Sequence, residues 1–315
     1  MDLSLFISLL VRTISLGTPI ALTGLGEGFS QKAGPLNLGI IGYLSLGAYV
    51  SWVVAYKFQN PWLATVIAMF AAAVLAAFVA FLVVTLKLSQ IVVGIGTAFF
   101  TEGLVCLLTF IVWPSYLIPT SSNVAVFQSA GIPFLKDIGI IGQVLFGHHI
   151  FVYIMVAIAI LFNYIINKTK FGLQMRAVGE SAAAADAMGI NVSKIRYICI
   201  IVCGALCGLA ASYMTLVRAR VYVLGITADV GFIALAAIVL GAWKSPRIVL
   251  AAFLFGFVRS LHFLGQAQRW INIPSEVWQM LPYIVAILVL TISSIRVGAE
   301  APRELARTYI REEEA

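Results

Sequence analysis

Long apolar stretches recur along the chain, and they constrain the fold more than any other feature of the sequence. About 20 helical residues cross the hydrocarbon core of a bilayer. Inside that core every backbone polar group needs a partner within the protein, which an α-helix provides. The sequence therefore predicts an all-α, polytopic transmembrane helix bundle. The predicted spans are residues 3–25, 34–56, 61–86, 89–113, 147–167, 197–217, 227–243, 247–264 and 277–295.

The count of about nine spans leaves room for eight to ten. The seventh and eighth stretches are short, and a tight turn at residues 244–247 separates them. A helical hairpin that does not fully cross the bilayer is an alternative for this pair.

Composition agrees with a membrane protein. Of the 315 residues, 62% are hydrophobic and only 10% are charged, and the mean hydropathy is +1.03. Soluble domains carry about 25% charged residues. The net charge of +7 comes from basic residues at the ends of apolar stretches, without a basic patch interleaved with aromatic residues. Membrane topology explains this pattern, and no nucleic-acid partner is expected.

Basic residues fix the predicted orientation. If nine segments alternate, Lys32, Lys87, the loop 167–196, the turn with Lys244 and the tail from Arg296 all fall on one side. That side is the cytoplasm by the positive-inside rule, so we expect the N-terminus outside and the C-terminus inside. The expected organisation is a transmembrane domain over residues 1–295 and a charged cytoplasmic tail over residues 296–315, which is expected to be a frayed helix.

The loop 167–196 is the only long polar passage between strongly apolar segments. Its alanine run, flanked by Glu180 and Asp186, predicts a short helix. A surface helix between two spans on the positive side is a candidate docking element for a cytoplasmic partner. An ordinary cytoplasmic loop is the alternative.

Small residues recur at helical spacing in several spans. Such seams let helices approach closely in lipid. One seam is Ala64, Ala68, Ala72, Ala76 and Ala80, and another is Gly204, Gly208 and Ser212. The second span also opens with Gly34, Gly39, Gly42 and Gly47, which indicates a broken helix near a translocation path or simply close packing.

Ionisable residues within spans are candidates for function, since each costs about 3 kcal/mol at the bilayer centre on insertion scales. We expect Glu27 and Asp229 to lie near span ends, within reach of water. We expect Arg12 to face the protein interior. Glu102 either lines a pathway beside Phe99 and Phe100 or pairs with Arg12 or Arg259.

Sequence motifs for catalysis are missing. The chain has no HExxH motif, no nucleophile elbow and no GxxxxGK loop, so no enzymatic activity and no ATP hydrolysis by a P-loop mechanism are expected. The four cysteines fall within apolar spans, and there are only three histidines. We therefore expect no metal and no cofactor bound by this chain.

Five blocks of sequence resemble one known family. They are GEGFSQKAGPLNLGIIGYLSLGAYV at 26–50, TKFGLQMRAVGESAAAADAMGINVSKIRY at 169–197, GALCGLAASYMTL at 204–216, GFIALAAIVLGAWKSPRIVLAAFLFGFVRSL at 231–261 and IPSEVWQMLPYIVAILVL at 273–290. In order and spacing they resemble the permease subunits of bacterial ABC importers for nucleosides and simple sugars, within the larger group that includes branched-chain amino acid permeases.

The resemblance implies a role and a set of partners. Such permeases lie in the bacterial cytoplasmic (inner) membrane and work as a pair, homomeric or heteromeric. Two cytoplasmic ATPase subunits, which use the ATP, lie below them, and an external substrate-binding protein docks above. The block 169–197 matches the family's coupling helix, which implies that Arg176, Glu180, Asp186 and Gly189 seat in a groove of the ATPase.

The sequence also departs from the family pattern. Nucleoside-type members usually carry a glutamate where this chain has Ile41, and an asparagine where it has Phe99 or Phe100. The candidate pathway residues are Asn37, Phe99, Phe100, Glu102 and Trp113. Aromatic rings suit a flat ring system, so a nucleoside-like solute is expected, with riboflavin or a simple sugar as alternatives. An ion-coupled secondary transporter is a further alternative, which only Glu102 supports.

Overall fold

The computed structural model describes residues 3–114, 118–128, 144, 146–267, 274–296 and 301–309. Within these ranges the chain is helical and contains no strand. The helices are α1 (Leu3–Gln31), α2 (Ile40–Phe58), α3 (Pro61–Ala80), α4 (Gln90–Val112), α5 (Ile150–Lys168), α6 (Lys170–Glu180), α7 (Ala182–Ala187), α8 (Val192–Ser212), α9 (Ala228–Leu240), α10 (Ser245–Ala267) and α11 (Ser275–Arg296). Two π-helical segments, Phe81–Thr85 and Tyr213–Ala219, extend α3 and α8.

The prediction of an all-helical membrane bundle is confirmed. In the described part of the chain, seven helices are long and apolar enough to cross a membrane: α1, α2, α3 with its extension, α4, α5, α8 with its extension, and α10. The shorter apolar helix α9 has 13 residues and α11 has 22. The prediction that the eighth stretch is short is wrong, because α10 has 23 residues.

Helix boundaries near the first loop also differ from the prediction. Helix α1 runs to Gln31, six residues past the predicted end, and α2 begins only at Ile40. Gly34 adopts a φ of +105°, and the Asn37 side chain accepts a hydrogen bond from the Gly39 N–H at 2.8 Å. These local features favour a turn and delay the start of the helix.

Helices α1 and α8 occupy the centre of the bundle. Helix α1 packs against α8, α9 and α10, and α8 packs against α2 and α3. In α8, 78% of the residues in its most apolar window are buried, against 22% in α4. Helix α4 packs mainly on α2, so it lies at the periphery of the single chain.

The two predicted seams of small residues are confirmed as packing surfaces, and they face each other. Ala64, Ala68, Ala72, Ala76 and Ala80 of α3 are fully buried. A Cβ built on Gly204 would lie 2.4 Å from the Ala76 Cβ, and one built on Gly208 would lie 2.5 Å from the Ala68 O. The backbones of α3 and α8 are therefore too close for a side chain at either glycine.

The basic loops meet at one end of the bundle, here called the basic end: the turns at 32–39, 86–89 and 241–244, the segment 169–191 and the tail segment 301–309. The Trp243 indole donates to Gln31 Oε1 at 2.7 Å, and the Ala306 N–H donates to the Gly34 carbonyl at 3.0 Å. At the opposite end, the Gln59 amide donates to the Asn123 carbonyl at 3.0 Å.

The tail does not form the expected frayed helix where it is described. Residues 301–309 form turns and irregular backbone, and Ala306 has a φ of 62°. Hydrogen bonds to the rest of the protein replace those of a helix: the Glu304 N–H donates to the Gly179 carbonyl at 3.0 Å. The segment therefore packs on the basic end.

Candidate functional site

The segment 169–191 contains two short helices, α6 and α7. The short helix predicted for the alanine run is confirmed as α7, whereas α6 before it was not predicted. Each helix begins at a side chain that caps its N-terminus. Thr169 Oγ1 accepts from the Gly172 N–H at 3.1 Å, and Ser181 Oγ accepts from the Ala184 N–H at 3.3 Å. The Asn191 side chain caps α8 in the same way. Such caps satisfy N–H groups that lack partners within the helix, and the alanine run favours a helix between them.

One face of α6 is pressed against the bundle. Met175 and Val178 are fully buried. A Cβ on Gly172 would lie 2.0 Å from the Ile165 O, and one on Gly179 would lie 2.1 Å from the Lys32 O. Glycine at these two positions thus lets α6 lie directly on the end of α5 and on the turn after α1, and holds the helix at a fixed height above the bundle.

The other face points away from the bundle, and its residues within 170–189 are here called the 170–189 surface. Three predicted coupling residues, Arg176, Glu180 and Gly189, are exposed there. A Cβ on Gly189, whose φ is +79°, would meet open space. The fourth residue, Asp186, is half-buried and accepts a hydrogen bond from the Tyr309 hydroxyl at 3.0 Å.

Two large apolar side chains on this surface were not among the predicted coupling residues. Met188 is 83% exposed and Leu173 is 61% exposed. The sequence signal was available, because each lies between polar or small residues of an amphipathic segment. Both side chains are candidates for contact with a partner protein.

A cavity of about 540 Å³ lies beside the 170–189 surface. It separates α7 and the start of α8 from the turn that follows α3. Its lining includes Lys87, Asp186, Asn191 and Tyr309. Helix α7 is therefore not packed against the bundle on this side.

The candidate pathway residues do not come together in one site. Phe99, Phe100 and Glu102 share the outer face of α4, where the two rings are 73% and 64% exposed and Glu102 is exposed too. Asn37 is buried at the basic end, where its amide donates to the Tyr43 hydroxyl at 2.6 Å. Trp113 is buried just after α4 at the opposite end and makes an edge contact with Tyr49.

The expected partners of Glu102 lie elsewhere. Arg259 Nη2 is 3.0 Å from Asp229 Oδ2, so this arginine pairs with Asp229. Arg12 is exposed, contrary to the expectation that it faces the interior. Among the described residues no ion pair involves Glu102. The carboxylate thus stands exposed in the middle of an apolar helix, and the surroundings of that helix decide its role.

Glu27 was misplaced by the sequence analysis, which put it within reach of water. It is fully buried, because α1 continues past it and the turn 32–39 folds over it. Its Oε1 accepts from the Asn37 N–H and from the Gln31 amide, both at 2.9 Å. Its Oε2 accepts from the Cys203 thiol at 3.4 Å. Glu27 therefore joins α1, the first turn and α8 at the basic end.

The helix lengths and composition are those of a multi-pass membrane protein, and two short helices, α6 and α7, lie at its basic end. A family model described as branched-chain amino acid transport system / permease component matches residues 9–290. The chain belongs to this family of permeases.

Three curated relatives are similar over nearly their whole length. The guanosine ABC transporter permease protein NupQ of Bacillus subtilis is 32% identical over 99% of this chain and 99% of its own. The putative glucose ABC transporter permease protein TsgC13 of Haloferax volcanii is 29% identical over 96% of this chain and 98% of its own. The nucleoside ABC transporter permease protein NupC of Lactococcus lactis subsp. cremoris is 30% identical over 87% and 88%. No solved structure matches the chain.

These similarities confirm the class inferred from the five sequence blocks. The chain is a permease subunit of an ABC importer, a multi-pass protein of the cytoplasmic membrane. It is not an enzyme, and ATP hydrolysis belongs to a separate ATPase subunit. ATPase subunits and a substrate-binding protein are its partners in general.

Proposed function

We propose that this chain forms half of the translocation path of an ATP-driven nucleoside importer and that the 170–189 surface couples it to the ATPase. The observation that supports the coupling role is the combination of close packing on one face of α6 and exposed apolar side chains on the other side. Gly172 and Gly179 seat α6 directly on the bundle, while Leu173 and Met188 remain exposed on the outer side. Because α6 packs directly on the bundle, a displacement of α6 by the ATPase would move the bundle as a rigid body.

The proposed topology has nine membrane segments, with the N-terminus outside and the C-terminus in the cytoplasm. Successive helices alternate between the basic end and the opposite end, which supports an odd number of crossings. Lysines and arginines at the basic end support a cytoplasmic position for that end. The short helix α9 would cross only with the help of the turns on either side of it.

We propose that the outer face of α4 meets the second permease subunit and lines the path between the two. An ionised carboxylate facing lipid at the bilayer centre costs about 3 kcal/mol on insertion scales. Glu102 avoids this cost if a partner or a water-filled path covers it. Open space beside Gly96 and Gly103, where an added Cβ would meet nothing within 4 Å, leaves room for a close approach on the same helix.

A nucleoside is the proposed solute. Two relatives are named for guanosine or nucleoside transport, and Phe99 and Phe100 offer exposed rings that could stack on a base. A simple sugar is the second candidate, because the relative from Haloferax volcanii is named for glucose. Riboflavin, the third, is supported by the aromatic side chains alone.

The coupling role is tested by charge reversal. We expect Glu180→Lys to reduce co-purification of the ATPase and ATP-dependent uptake at unchanged membrane insertion, because the exposed carboxylate lies on the docking surface. Lys57→Glu, an exposed charge reversal just before the turn at Gln59, is the matched control. Normal ATPase binding and uptake in Glu180→Lys and Asp186→Lys would refute the coupling assignment. Uptake by a chain that has no ATPase partner would favour a secondary transporter.

The solute is tested by competition. Uptake of labelled guanosine is measured in vesicles that contain the complete importer, with unlabelled nucleosides, glucose or riboflavin added in excess. We expect competition by nucleosides only. If only glucose competes, the nucleoside proposal is wrong and a simple sugar becomes the proposed solute.

The α4 proposal is tested with Glu102→Gln. We expect altered uptake or altered solute preference, because the substitution removes a charge from the path. Unchanged transport and unchanged preference would leave Glu102 with a structural role only.

A further inference from the structure

The tail segment 301–309, here called the strap, lies across the basic end and bonds to it through its main chain. The Glu304 N–H donates to the carbonyl of Gly179, the residue that seats α6 on the bundle, at 3.0 Å. The Ala306 N–H donates to the Gly34 carbonyl at 3.0 Å. The strap thus connects the end of α6 to the turn that follows α1.

Two buried side chains of the bundle hold the strap. Gln90, at the start of α4, donates from its amide to the Arg307 carbonyl at 3.1 Å, and Arg196 of α8 donates to the same oxygen at 3.2 Å. Arg196 Nη2 also lies 3.7 Å from Glu304 Oε2. Gln90 and Arg196 are each only 3% exposed. A buried arginine destabilises a protein unless it is partnered, and here the described partners come from the strap.

Side chains of the strap reach the 170–189 surface. The Tyr309 hydroxyl donates to Asp186 Oδ2 at 3.0 Å, and Arg303 Nε lies 2.9 Å from Glu180 Oε1. The second pair is exposed on both sides and contributes little to stability in water. The bond from Tyr309 matters more, because it holds α7 beside the cavity, on the side where α7 is not packed against the bundle.

The strap also packs on the turn between α9 and α10. Ala301 and Leu305 pack against a small buried cluster of Ile238, Trp243 and Ile248. The Trp243 indole in turn donates to Gln31 of α1 at 2.7 Å. Through these contacts, one short segment joins α6 and α7 to α1, α4, α8 and the α9–α10 turn.

We propose that the strap positions the 170–189 surface relative to the bundle, with Arg196 and Tyr309 as positioning residues. This inference rests on the proposed coupling role of the 170–189 surface. With the strap in place, α7 cannot move away from Tyr309 without breaking the bond to Asp186, and α6 cannot lift from the strap without breaking the bond to Glu304. A displacement imposed by the ATPase therefore passes to several helices at once.

Tyr309→Phe is the decisive variant, because it removes only the hydroxyl that bonds to Asp186 and keeps the ring that packs against the core. The complete importer, with both permease subunits, ATPase and binding protein, is reconstituted in proteoliposomes. We measure solute transported per ATP hydrolysed. We expect this ratio to fall about twofold to tenfold, the effect of losing one hydrogen bond of ordinary strength. Arg196→Gln should have at least the same effect.

Arg307→Ala is the matched control. The Arg307 side chain is exposed, and the strap uses only its carbonyl, which alanine retains. We expect the wild-type ratio in this variant. Hydrogen exchange adds a direct readout: the amides of Glu304 and Ala306 should lose protection in Arg196→Gln and keep it in Arg307→Ala.

The outcomes separate this inference from the proposed function. If the ATPase fails to co-purify with the wild-type chain, the coupling proposal itself is wrong. If the ATPase binds, and both Tyr309→Phe and Arg196→Gln transport as much solute per ATP as Arg307→Ala, the positioning role is wrong while the coupling role stands. Weakened ATPase binding in these two variants, with normal binding in Arg307→Ala, supports the positioning role.

Discussion

The contact between α3 and α8 makes a sharp prediction about Gly208. A Cβ added there would lie 2.5 Å from the Ala68 O, about 0.9 Å short of the 3.4 Å at which ordinary contact begins. It would also lie 2.7 Å from the Met69 Cα. Both neighbours include backbone atoms of α3, which cannot rotate away as a flexible side chain can. Gly208→Ala therefore requires the two helices to separate.

The size of the effect follows from comparison with Gly103. A Cβ at Gly103 of α4 meets nothing within 4 Å. Replacing a helical glycine with alanine gains about 1 kcal/mol of helix propensity, and this gain is the same at both positions and cancels. The remaining difference is the cost of overpacking, about 1–3 kcal/mol. We expect Gly208→Ala to be less stable than Gly103→Ala by this amount.

Equilibrium unfolding of the isolated chain in detergent micelles measures this difference. The midpoints of denaturant unfolding of Gly208→Ala, Gly103→Ala and wild type are compared, with the slope of the transition as a check that the extent of unfolding is unchanged. Equal midpoints for the two variants would refute the close contact of α3 with α8. A midpoint of Gly103→Ala below that of wild type would refute the open surface of α4.

Three further predictions concern Glu27 and Gly179 at the basic end and His148 just before α5. Glu27→Ala should lower the free energy of unfolding by about 1–3 kcal/mol for each donor left unpaired. Glu27→Gln keeps an acceptor for the amide of Gln31 and should cost less. Equal losses in the unfolding midpoint of the two variants would contradict the hydrogen bonds assigned to Glu27. Gly179→Ala should reduce uptake per folded molecule, because its Cβ would lie 2.1 Å from the Lys32 O and lift α6; unchanged uptake would argue against the seating of α6. Burial lowers the pKa of His148, so the unfolded chain binds more protons than the folded chain when the pH falls below about 6.5. The free energy of unfolding should therefore decrease below that pH. Thermal unfolding of His148→Gln at several pH values should lack this part of the pH dependence.

The seams illustrate what local spacing can predict. A four-residue repeat of alanine or glycine marks one face of a helix wherever the helix lies. Both seams were therefore visible in the sequence. That Gly204 and Gly208 lie against Ala68 and Ala76 depends on the order in which the helices pack, which spacing does not encode.

Glu27 illustrates a failure with a physical cause. The apolar count ended the first span at residue 25, since the next two turns of helix contain Glu27 and Gln31. The helix continues because the partners that satisfy these side chains come from Asn37, Cys203 and Trp243. Two of these partners are more than 170 residues away in sequence. A window of local hydropathy contains no information about them.

The candidate pathway residues show the same limit. Residue type selected Asn37, Phe99, Phe100, Glu102 and Trp113 together. Burial separates them, because Asn37 and Trp113 are internal and the other three share the outer face of α4. The tail behaved similarly: its charges predicted a frayed helix, while carbonyl groups of Gly34 and Gly179 hold it in turns.

The sequence by itself determined the helical class, the membrane setting, the small-residue seams and the short helix at the alanine run of the polar loop. Each depends on composition or on spacing over a few residues, and the requirement to satisfy backbone polar groups in lipid allows few alternatives. Tertiary structure alone decided which seams meet, which charges are buried and where the tail lies. Those depend on hydrogen-bond partners and backbone surfaces supplied by distant parts of the chain, which become neighbours only when the bundle has formed.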